Sequence, residues 1–265
     1  MQTEIRRYYQ RGGETSRLGA GNGRWEFLRT WDLLGRVLPP GPLSILDVGG
    51  ATGVYAGPLA AAGHAVHVVD PMPEHVAAAS ELPGVTAAVG DARRLAEPDA
   101  SRDVVLLFGP LYHLVDRADR LAAWGEAARV VRPGGLVLAA TISRYATLVD
   151  GYAKGFADDP AFARMMDGAL ATGVHRNPDE VPNWFTTAYF HQPDELPVEV
   201  AEAGLELDRI AAIEGPLWTV RQLPEILADE QRTARALTLM REVEGVPHLW
   251  GASSHLLTVA RRAGS

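Results

Sequence analysis

The alternation of apolar and amphipathic segments in this 265-residue chain predicts an α/β fold: a doubly wound, mostly parallel sheet of seven strands with a helical insertion. From Leu43 to Thr141, short continuous apolar runs alternate with helical stretches, the pattern of parallel strands covered by helices on both faces. About 50 residues without a strand pattern follow, and then a helix and two more apolar runs indicate that the sheet resumes. Structureless loops of that length are rare in compact domains, so we interpret this stretch as a helical lid.

The predicted elements follow one another with short connections. The strands are Ser44–Val48, Ala65–Val69, Val85–Val89, Val104–Phe108, Leu136–Thr141, Leu205–Ile213 and Ser254–Arg261. The helices are Trp25–Leu38, Val54–Ala62, Glu74–Ser80, Asp119–Val131, Asp194–Ala203 and Leu223–Glu244. The run Pro39-Pro40-Gly41-Pro42 must end the first helix, because proline lacks the amide hydrogen that a helix interior needs.

Four parts of the chain are predicted from this order. They are an N-terminal helical segment over the binding site, residues 1–40; a ligand-binding core, residues 41–141; the lid or substrate-binding insertion, residues 142–193; and the C-terminal part of the core sheet, residues 194–265. The lid is rich in aromatic and Met side chains, which build adaptable apolar pockets as well as ordinary helical cores. We expect it to close over the carboxyl ends of the strands and to exclude water.

Composition weighs against several classes of protein. The formal net charge of −8 disfavours nucleic-acid binding, since phosphates are held mainly by Lys and Arg. The absence of cysteine excludes disulfides and thiolate metal sites. The N-terminal stretch is too polar for a signal peptide, and no run reaches the roughly 18 apolar residues of a membrane span. A cytoplasmic monomer or homodimer without membrane contact is therefore expected.

The most informative motif joins the first strand to the next helix: Asp47-Val48-Gly49-Gly50-Ala51-Thr52-Gly53. Glycines in this turn permit positive φ and let a ligand approach the backbone. The dinucleotide motif G-x-G-x-x-G fails here, because Ala51 and Val54 stand where its second and third glycines are required. A carboxylate at the strand end is unfavourable beside a pyrophosphate but suits a cationic cofactor without phosphate groups. A glycine-rich turn without a ligand is the alternative.

Acidic residues also follow the next two strands. Asp70 stands 17 residues after Gly53, where a carboxylate can accept both hydroxyls of a ribose; otherwise it caps the following helix. Asp91 is placed to accept a hydrogen bond from an adenine amino group, or it is an ordinary turn residue. Ligands of doubly wound sheets lie at the carboxyl ends of the strands, so Phe108–His113, after the fourth strand, is expected beside the reacting centre.

Four segments carry a resemblance to a known family: the loop at Asp47–Gly53, Asp70, Asp91 and the run that begins at Phe108. In this order they resemble the Rossmann-like class I S-adenosylmethionine-dependent methyltransferases over about residues 40–141. The run Phe108-Gly109-Pro110-Leu111-Tyr112-His113-Leu114, followed by Arg129-Val130-Val131-Arg132-Pro133-Gly134-Gly135, is similar to a bacterial group that methylates small molecules. The last two predicted strands fit the antiparallel ending that is usual in the family. One departure is Ala51, where the family usually has glycine, so a slightly tighter loop is expected.

The resemblance implies S-adenosylmethionine as cofactor, with S-adenosylhomocysteine as its product, and a set of binding residues. The implied binding residues are Asp47, Gly49 and Gly53 for the methionine-side loop, Asp70 for the ribose, and Asp91 with Ala92 for the adenine. The remaining cofactor-binding residues are Gly50, Pro71, Met72, Phe108 and Gly109. The implied activity is metal-independent, in-line methyl transfer to an O, N or C atom of a small molecule. The aromatic and Met residues of the lid indicate that this molecule is partly apolar.

The transfer needs alignment and, for a weak nucleophile, a base. His113 has the best position for a base, just past the fourth strand, and we expect Tyr189 and His191 at the end of the lid to approach it. Each is otherwise a packing residue. Further base candidates are Tyr112, Glu214, which is more often a solvated loop acid, and His255, which is more often structural. Residues expected to fold over the cofactor's carboxylate, or else to lie on a helix surface, are Tyr8, Tyr9 and Arg17.

No metal site is predicted. His64 and His67 belong to a strand pattern that points them to opposite faces, and His175 and His191 lack the acid–His spacing of a known site.

Two other classes of function stay open. An NAD-dependent oxidoreductase shares the sheet and the second-strand acid, although the broken glycine motif weighs against it. A non-methylating protein that binds S-adenosylmethionine, or uses it for another reaction such as cyclisation, shares the cofactor residues. A non-catalytic binder of this kind lacks a lined second pocket, whereas the size of the 142–193 insertion favours a true substrate pocket.

Overall fold

The computed structural model describes residues 3–11, 18–19 and 21–264. Its strands are β1 Ser44–Val48, β2 Ala65–Asp70, β3 Val85–Val89, β4 Arg102–Leu107, β5 Val131–Ser143, β6 Val174–His175, β7 Ala188–His191, β8 Glu206–Ala212 and β9 His255–Arg261. Its helices are α1 Thr3–Gln10, α2 Gly21–Val37, α3 Ala56–Ala61, α4 Pro73–Ser80, α5 Pro110–His113, α6 Arg117–Val130, α7 Ala146–Ala153, α8 Pro160–Thr172, α9 Glu195–Glu202, α10 Leu223–Leu227, α11 Glu230–Val243 and α12 Pro247–Trp250, with a 3₁₀ helix at Gly215–Thr219.

The main sheet has the strand order β3-β2-β1-β4-β5-β9-β8. Strands β1 to β5 pair in parallel, and β9 is antiparallel to both β5 and β8. The predicted doubly wound, mostly parallel sheet with an antiparallel last strand is confirmed. The strand order reverses between β1 and β4, and such a switch point opens a crevice at the carboxyl ends of the strands.

Two short strands extend this sheet inside the segment predicted to be helical. β7 pairs in parallel with Ile142 and Ser143 at the end of β5, beyond Ala139, where the pairing with β4 stops. β6 then pairs antiparallel with β7. The insertion is therefore helical in α7 and α8, but its last part completes an edge that β5 leaves open. A local pattern cannot reveal that edge, because only the tertiary structure creates it.

The predicted helix Leu223–Glu244 is two helices in the structure. α10 ends at Leu227, and α11 begins after Asp229, whose carboxylate accepts a hydrogen bond from the amide of Arg232 at 2.9 Å. An Asp at this position satisfies an amide that has no partner within the helix, which favours a new start there. Among the helices of the described residues, none has the length and apolar character to cross a bilayer.

Alternating side chains of the parallel strands pack against two helical layers. In β4, Val104 and Leu106 belong to the core that includes α2 and α3, whereas Val105 and Leu107 pack with Trp124 of α6. These side chains are fully buried. Burial of each large apolar side chain contributes roughly 1.5–3 kcal/mol, so both cores hold the strand ends on a rigid frame.

A buried arginine fixes α2 against the C-terminal elements. The guanidinium of Arg29 donates to the carbonyl of Ile213 at 2.9 Å, to Glu244 at 2.6 Å and to Asp32 at 2.8 Å. Burial alone raises the pKa of Glu244, but hydrogen bonds from Arg36 and Arg29 outweigh it and lower that pKa. The contact with Ile213 sets the position of the chain that leaves β8.

Candidate active site

A cavity opens at the carboxyl ends of β1 to β4, at the switch point of the sheet. The predicted cofactor residues that line it are Gly49, Gly50, Asp70, Pro71, Met72, Asp91, Ala92, Phe108 and Gly109. Asp47 and Gly53 do not line it. Asp47 is fully buried behind the loop, and Gly53 faces Leu82, whose Cδ1 lies 2.5 Å from the place of a Cβ.

The loop after β1 requires glycine at two positions for different reasons. Gly49 has φ +74°, and a Cβ there would meet Cδ of Pro110 at 2.8 Å. At Gly50, a Cβ would lie 2.5 Å from Oδ2 of Asp47. Ala51 also has a positive φ of 47°, and its amide donates to Oδ2 of Asp70 at 3.1 Å. That hydrogen bond holds the residue in a conformation that glycine adopts more readily.

The carboxylate of Asp47 has no hydrogen-bond partner among the described residues. Burial first, and then the charge of Asp70, raise the pKa of Asp47 to about 7. A buried carboxylate without a partner is strongly disfavoured in its charged form, so a nearby cation stabilises it. This side chain therefore fits a positively charged ligand in the loop.

Asp70 is held by several groups at the end of β2. Its Oδ1 accepts from the amide of Met72 at 2.9 Å and lies 3.1 Å from Nδ1 of His75. Together with the Ala51 contact, these hydrogen bonds fix the carboxylate at the cavity wall. His75 itself lines the cavity, and no sequence motif identified it.

The cationic residue of the cavity wall already has carboxylate partners within the protein. Arg93 is the only Arg or Lys among the described residues that line the cavity. It donates to both oxygens of Asp91, at 2.9 and 2.6 Å, and to Asp119 at 2.9 Å. Hydrogen bonds from Arg93 lower the pKa of Asp91. Acidic groups thus dominate this wall, which suits a cationic, phosphate-free cofactor and disfavours a pyrophosphate.

Helix α1 covers the cavity. The hydroxyl oxygen of Tyr9 lies 2.7 Å from Nε2 of His113, and the Tyr9 ring meets the His75 ring edge-on at 5.7 Å. Burial lowers the pKa of His113 to about 4, so this ring is neutral near pH 7. Of the residues expected to cover the cofactor, Tyr9 lines this cavity, Tyr8 lines only a neighbouring cavity, and Arg17 lies outside the described residues.

A second cavity of about 430 Å³ adjoins the first, and the predicted lid supplies more than half of its lining. Its aromatic residues from the lid are Phe156, Phe162, Trp184, Phe185 and Phe190. Among the described residues, those that line both cavities are Tyr9, Glu26, Tyr112 and His255. These four residues mark the junction at which a cofactor in one cavity meets a substrate in the other.

Tyr189 and His191 lie elsewhere, contrary to the expectation that they approach His113. Side chains alternate along a strand, so Phe190 faces the second cavity while its two neighbours point to the opposite face. The Tyr189 hydroxyl donates to Glu195 at 2.8 Å, and Nε2 of His191 lies 3.5 Å from Glu199. Neither residue lines either cavity, and burial lowers the pKa of His191. We therefore reassign both to structural packing.

Glu214 and His255 form a close pair at the junction. Nδ1 of His255 donates to Oε1 of Glu214 at 2.5 Å, and the other carboxylate oxygen accepts from the His255 amide at 2.8 Å. The hydroxyl of Ser253 lies 3.0 Å from that same oxygen. The sequence marked each residue as a weak base candidate but gave no sign of their contact, since they are far apart in the chain.

Comparison with known proteins agrees with this geometry. Residues 45–135 match a family model described as a methyltransferase domain. A ubiquinone biosynthesis O-methyltransferase from Methylobacterium nodulans is 31% identical over 188 residues, which cover 69% of this chain and 68% of the relative. The chain belongs to the S-adenosylmethionine-dependent methyltransferases. Another ubiquinone biosynthesis O-methyltransferase, from Methylocella silvestris, is 32% identical over 66% of this chain and 63% of the relative.

Solved structures show the same fold. A methyltransferase from Thermotoga maritima, described as a possible histamine N-methyltransferase, aligns over 97% of this chain and 98% of its own with a TM-score of 0.61 and 18% identity. S-adenosylmethionine is the cofactor of the present protein. The positive charge of this cofactor fits the buried Asp47, the glycine loop and the acidic wall of the cavity. The NAD-dependent alternative is not favoured.

Proposed function

We propose that this methyltransferase transfers a methyl group to a hydroxyl oxygen of a small, partly apolar molecule. The observation that carries the proposal is the second cavity, which is lined by aromatic side chains and joined to the cofactor cavity through Tyr9, Glu26, Tyr112 and His255. A volume of about 430 Å³ lies within the range of small-molecule pockets. The two curated relatives are named as O-methyltransferases, which supports oxygen as the acceptor atom.

The cofactor is proposed to bind along the ends of β1 to β4. The loop at Gly49 and Gly50 would take its methionine part, Asp70 its ribose, and Asp91 with Ala92 its adenine. When bound, the cofactor supplies a methyl group activated by a positively charged sulfur. The protein holds the acceptor in line with that group, and α1 with the lid excludes water from the junction.

The lining of the second cavity favours a flat acceptor. Phe162 and Trp184 meet edge-on with their ring centroids 5.1 Å apart, and Phe156 lies 6.4 Å from Trp184. Aromatic walls of this kind bind planar rings through offset or edge-to-face contacts. Lys154 and Asp150 pair at 2.9 Å in the same wall, and other polar side chains, Thr147, His175 and Asn183 among them, also line the cavity. A hydroxylated aromatic ring with an apolar substituent satisfies these features.

The test is a panel of matched acceptors that carry a hydroxyl, amino or thiol group, or an activated carbon, on the same ring. Release of S-adenosylhomocysteine identifies turnover, and the carbon shift of the new methyl group by NMR identifies the acceptor atom. We expect methoxy products. Turnover only with the amino or carbon acceptors would refute the oxygen assignment. Tight binding of S-adenosylmethionine without turnover across the panel would favour the non-methylating alternative.

A further inference from the structure

His255 stands where the two cavities meet, and it is the first residue of β9. The strand fixes its backbone through pairing with Ile142 of β5. Its side chain retains 17% of its possible exposure, so the ring is reachable from the cavities without being a surface group. A histidine at the meeting point of cofactor and acceptor has the chemistry of a general base.

Glu214 determines which ring nitrogen of His255 carries the proton in the neutral ring. The carboxylate is buried and takes the Nδ1–H of His255, while the amide of the same residue and the Ser253 hydroxyl hold its second oxygen. The Nδ1–H tautomer leaves Nε2 as the basic nitrogen of the ring. A carboxylate in this position both orients an imidazole and stabilises its protonated form, as in other carboxylate–histidine pairs.

We propose that His255, positioned by Glu214, is the general base that removes the proton from the acceptor hydroxyl. This inference rests on the proposed oxygen methylation and names the residue that makes it possible. The proton passes from the hydroxyl to Nε2 of His255 while a lone pair of the oxygen forms the bond to the methyl carbon. The carbon–sulfur bond breaks, and its electron pair stays on sulfur. The positive charge of the sulfonium thus ends on the imidazolium, beside Glu214.

Two other histidines that line the cavities, His113 and His175, are poorer bases. Burial lowers the pKa of His113 and of His175 to about 4, so each is a weak base. His175 is engaged with Thr147 and its ring stacks on Phe190. The titratable groups that face His255 are Tyr9, Glu26 and Tyr112, which line both cavities, and its partner Glu214, which lines the second. Two of these are carboxylic acids, and in their ionised form they favour a positive charge on the ring.

A metal ion is the competing assignment for the same groups. Carboxylate oxygens of Glu26 and Glu214 and a ring nitrogen of His255 lie within 4.8 Å of one another. The short contact between Nδ1 of His255 and Glu214 favours the proton-transfer assignment, because each of these two atoms already has the other as its partner. A metal site predicts that a chelator abolishes turnover, whereas proton transfer by His255 does not. Turnover in the presence of a chelator therefore separates the two assignments.

The first experiment compares His255→Ala and Glu214→Gln with the wild type on a hydroxyl acceptor that the wild type methylates. Loss of a general base lowers kcat by about 10²- to 10⁴-fold, and Glu214→Gln should lower it by about 10-fold or more. KM for the acceptor and affinity for S-adenosylhomocysteine should stay within about tenfold. The acid limb of the pH–kcat profile should disappear in His255→Ala. His248→Ala, at an exposed position, is the matched control.

The second experiment does not depend on turnover. A nitrophenol analogue of the acceptor is bound to the complex with S-adenosylhomocysteine, and its phenolate absorbance is recorded below the pH at which the free ligand ionises. The wild type should bind the phenolate form, because Nε2 of His255 takes the proton. His255→Ala should bind the neutral phenol, and Glu214→Gln should show an intermediate spectrum. A purely structural pair would leave the ionisation state of the bound ligand unchanged.

Each outcome has a distinct meaning. If the wild type binds cofactor but methylates no hydroxyl acceptor, the oxygen proposal fails before the base is tested. If it methylates hydroxyl acceptors and His255→Ala retains kcat within about threefold, the base assignment is wrong. If chelator abolishes turnover, and Mg²⁺ or Mn²⁺ restores it in the wild type but not in Glu214→Gln, the three side chains hold a metal and the base assignment is overturned.

Discussion

The hydroxyl oxygen of Tyr9 lies 2.7 Å from Nε2 of His113, and this contact joins helix α1 to the chain that follows β4. Both residues line the cofactor cavity, so the hydrogen bond holds α1 against the wall of that cavity. His113 is neutral near pH 7 because burial lowers its pKa to about 4. The residue that the sequence predicts as a base thus has Tyr9 of α1 as a hydrogen-bond partner in the free protein.

Tyr9→Phe should weaken cofactor binding without changing the pH dependence of turnover. The variant keeps the aromatic ring and loses one hydrogen bond, which is worth about 0.5–1.5 kcal/mol, or roughly 2- to 12-fold in affinity. Calorimetric titration with S-adenosylhomocysteine measures the change. Tyr152→Phe, on an exposed side chain of α7, is the control. An unchanged affinity would show that α1 does not stabilise the bound cofactor.

Asp70→Ala should weaken binding of S-adenosylmethionine much more strongly. Loss of charge-assisted hydrogen bonds to two hydroxyls costs on the order of 2–4 kcal/mol, or about 30- to 1000-fold in affinity. Because Asp70 also holds the amides of Ala51 and Met72, Asp70→Asn is needed as an intermediate variant. Asp99→Ala, at an exposed carboxylate, is the control. Intact circular dichroism with an unchanged dissociation constant would place the ribose contact elsewhere.

The sequence predicts the site residues that lie on a single connection between one strand and the next helix. Gly49, Asp70, Asp91 and Phe108 each lie at or just past the end of one strand, and the parallel sheet brings all four strand ends to one edge. A local motif is sufficient for such residues, because the fold class alone places them in the same crevice.

The parts that escape prediction depend on strand register. Tyr189 and His191 were expected in the cavity, but the register of β7 against β5 points Phe190 there instead. The contact between Glu214 and His255 spans 41 residues and forms because the antiparallel β8 and β9 bring their ends together. A shift by one residue would move every side chain of a strand to its other face, and periodicity alone does not fix that shift.

Trp184→Leu should impair acceptor binding while sparing the cofactor. The indole is largely buried against Phe162 in the wall of the second cavity, and it does not line the first. Loss of an aromatic contact of this kind raises KM for the acceptor by about 3- to 10-fold. Affinity for S-adenosylhomocysteine should stay within about threefold, as measured by calorimetry. Tyr152→Leu, in the same segment, controls for loss of an exposed aromatic residue. Equal losses of acceptor and cofactor affinity would contradict the assignment of separate cavities.

Asp47→Asn should stabilise the free protein and at the same time weaken cofactor binding. The pKa of Asp47 is raised from 3.8 to about 7 by burial and by the charge of Asp70. Between these two values the unfolded chain releases the proton and the folded chain keeps it, so stability falls as the pH rises. The loss is about 1.4 kcal/mol per pH unit and reaches on the order of 4 kcal/mol above pH 7. Asparagine resembles the neutral carboxyl group and escapes this loss.

The variant should therefore melt at a higher temperature than the wild type at pH 8, and the difference should shrink towards pH 4. Cofactor binding should change in the opposite sense, because the ionised carboxylate favours a cationic ligand. In the wild type, affinity for S-adenosylmethionine should increase as the pH rises through about 7, and in Asp47→Asn it should be weaker and nearly independent of pH in that range. Asp158→Asn, at an exposed position, is the control for both measurements. A lower melting temperature for Asp47→Asn at pH 8 would show that the wild-type carboxylate is ionised and stabilised in the free protein. There would then be no reason to infer that this carboxylate stabilises the positive charge of the cofactor.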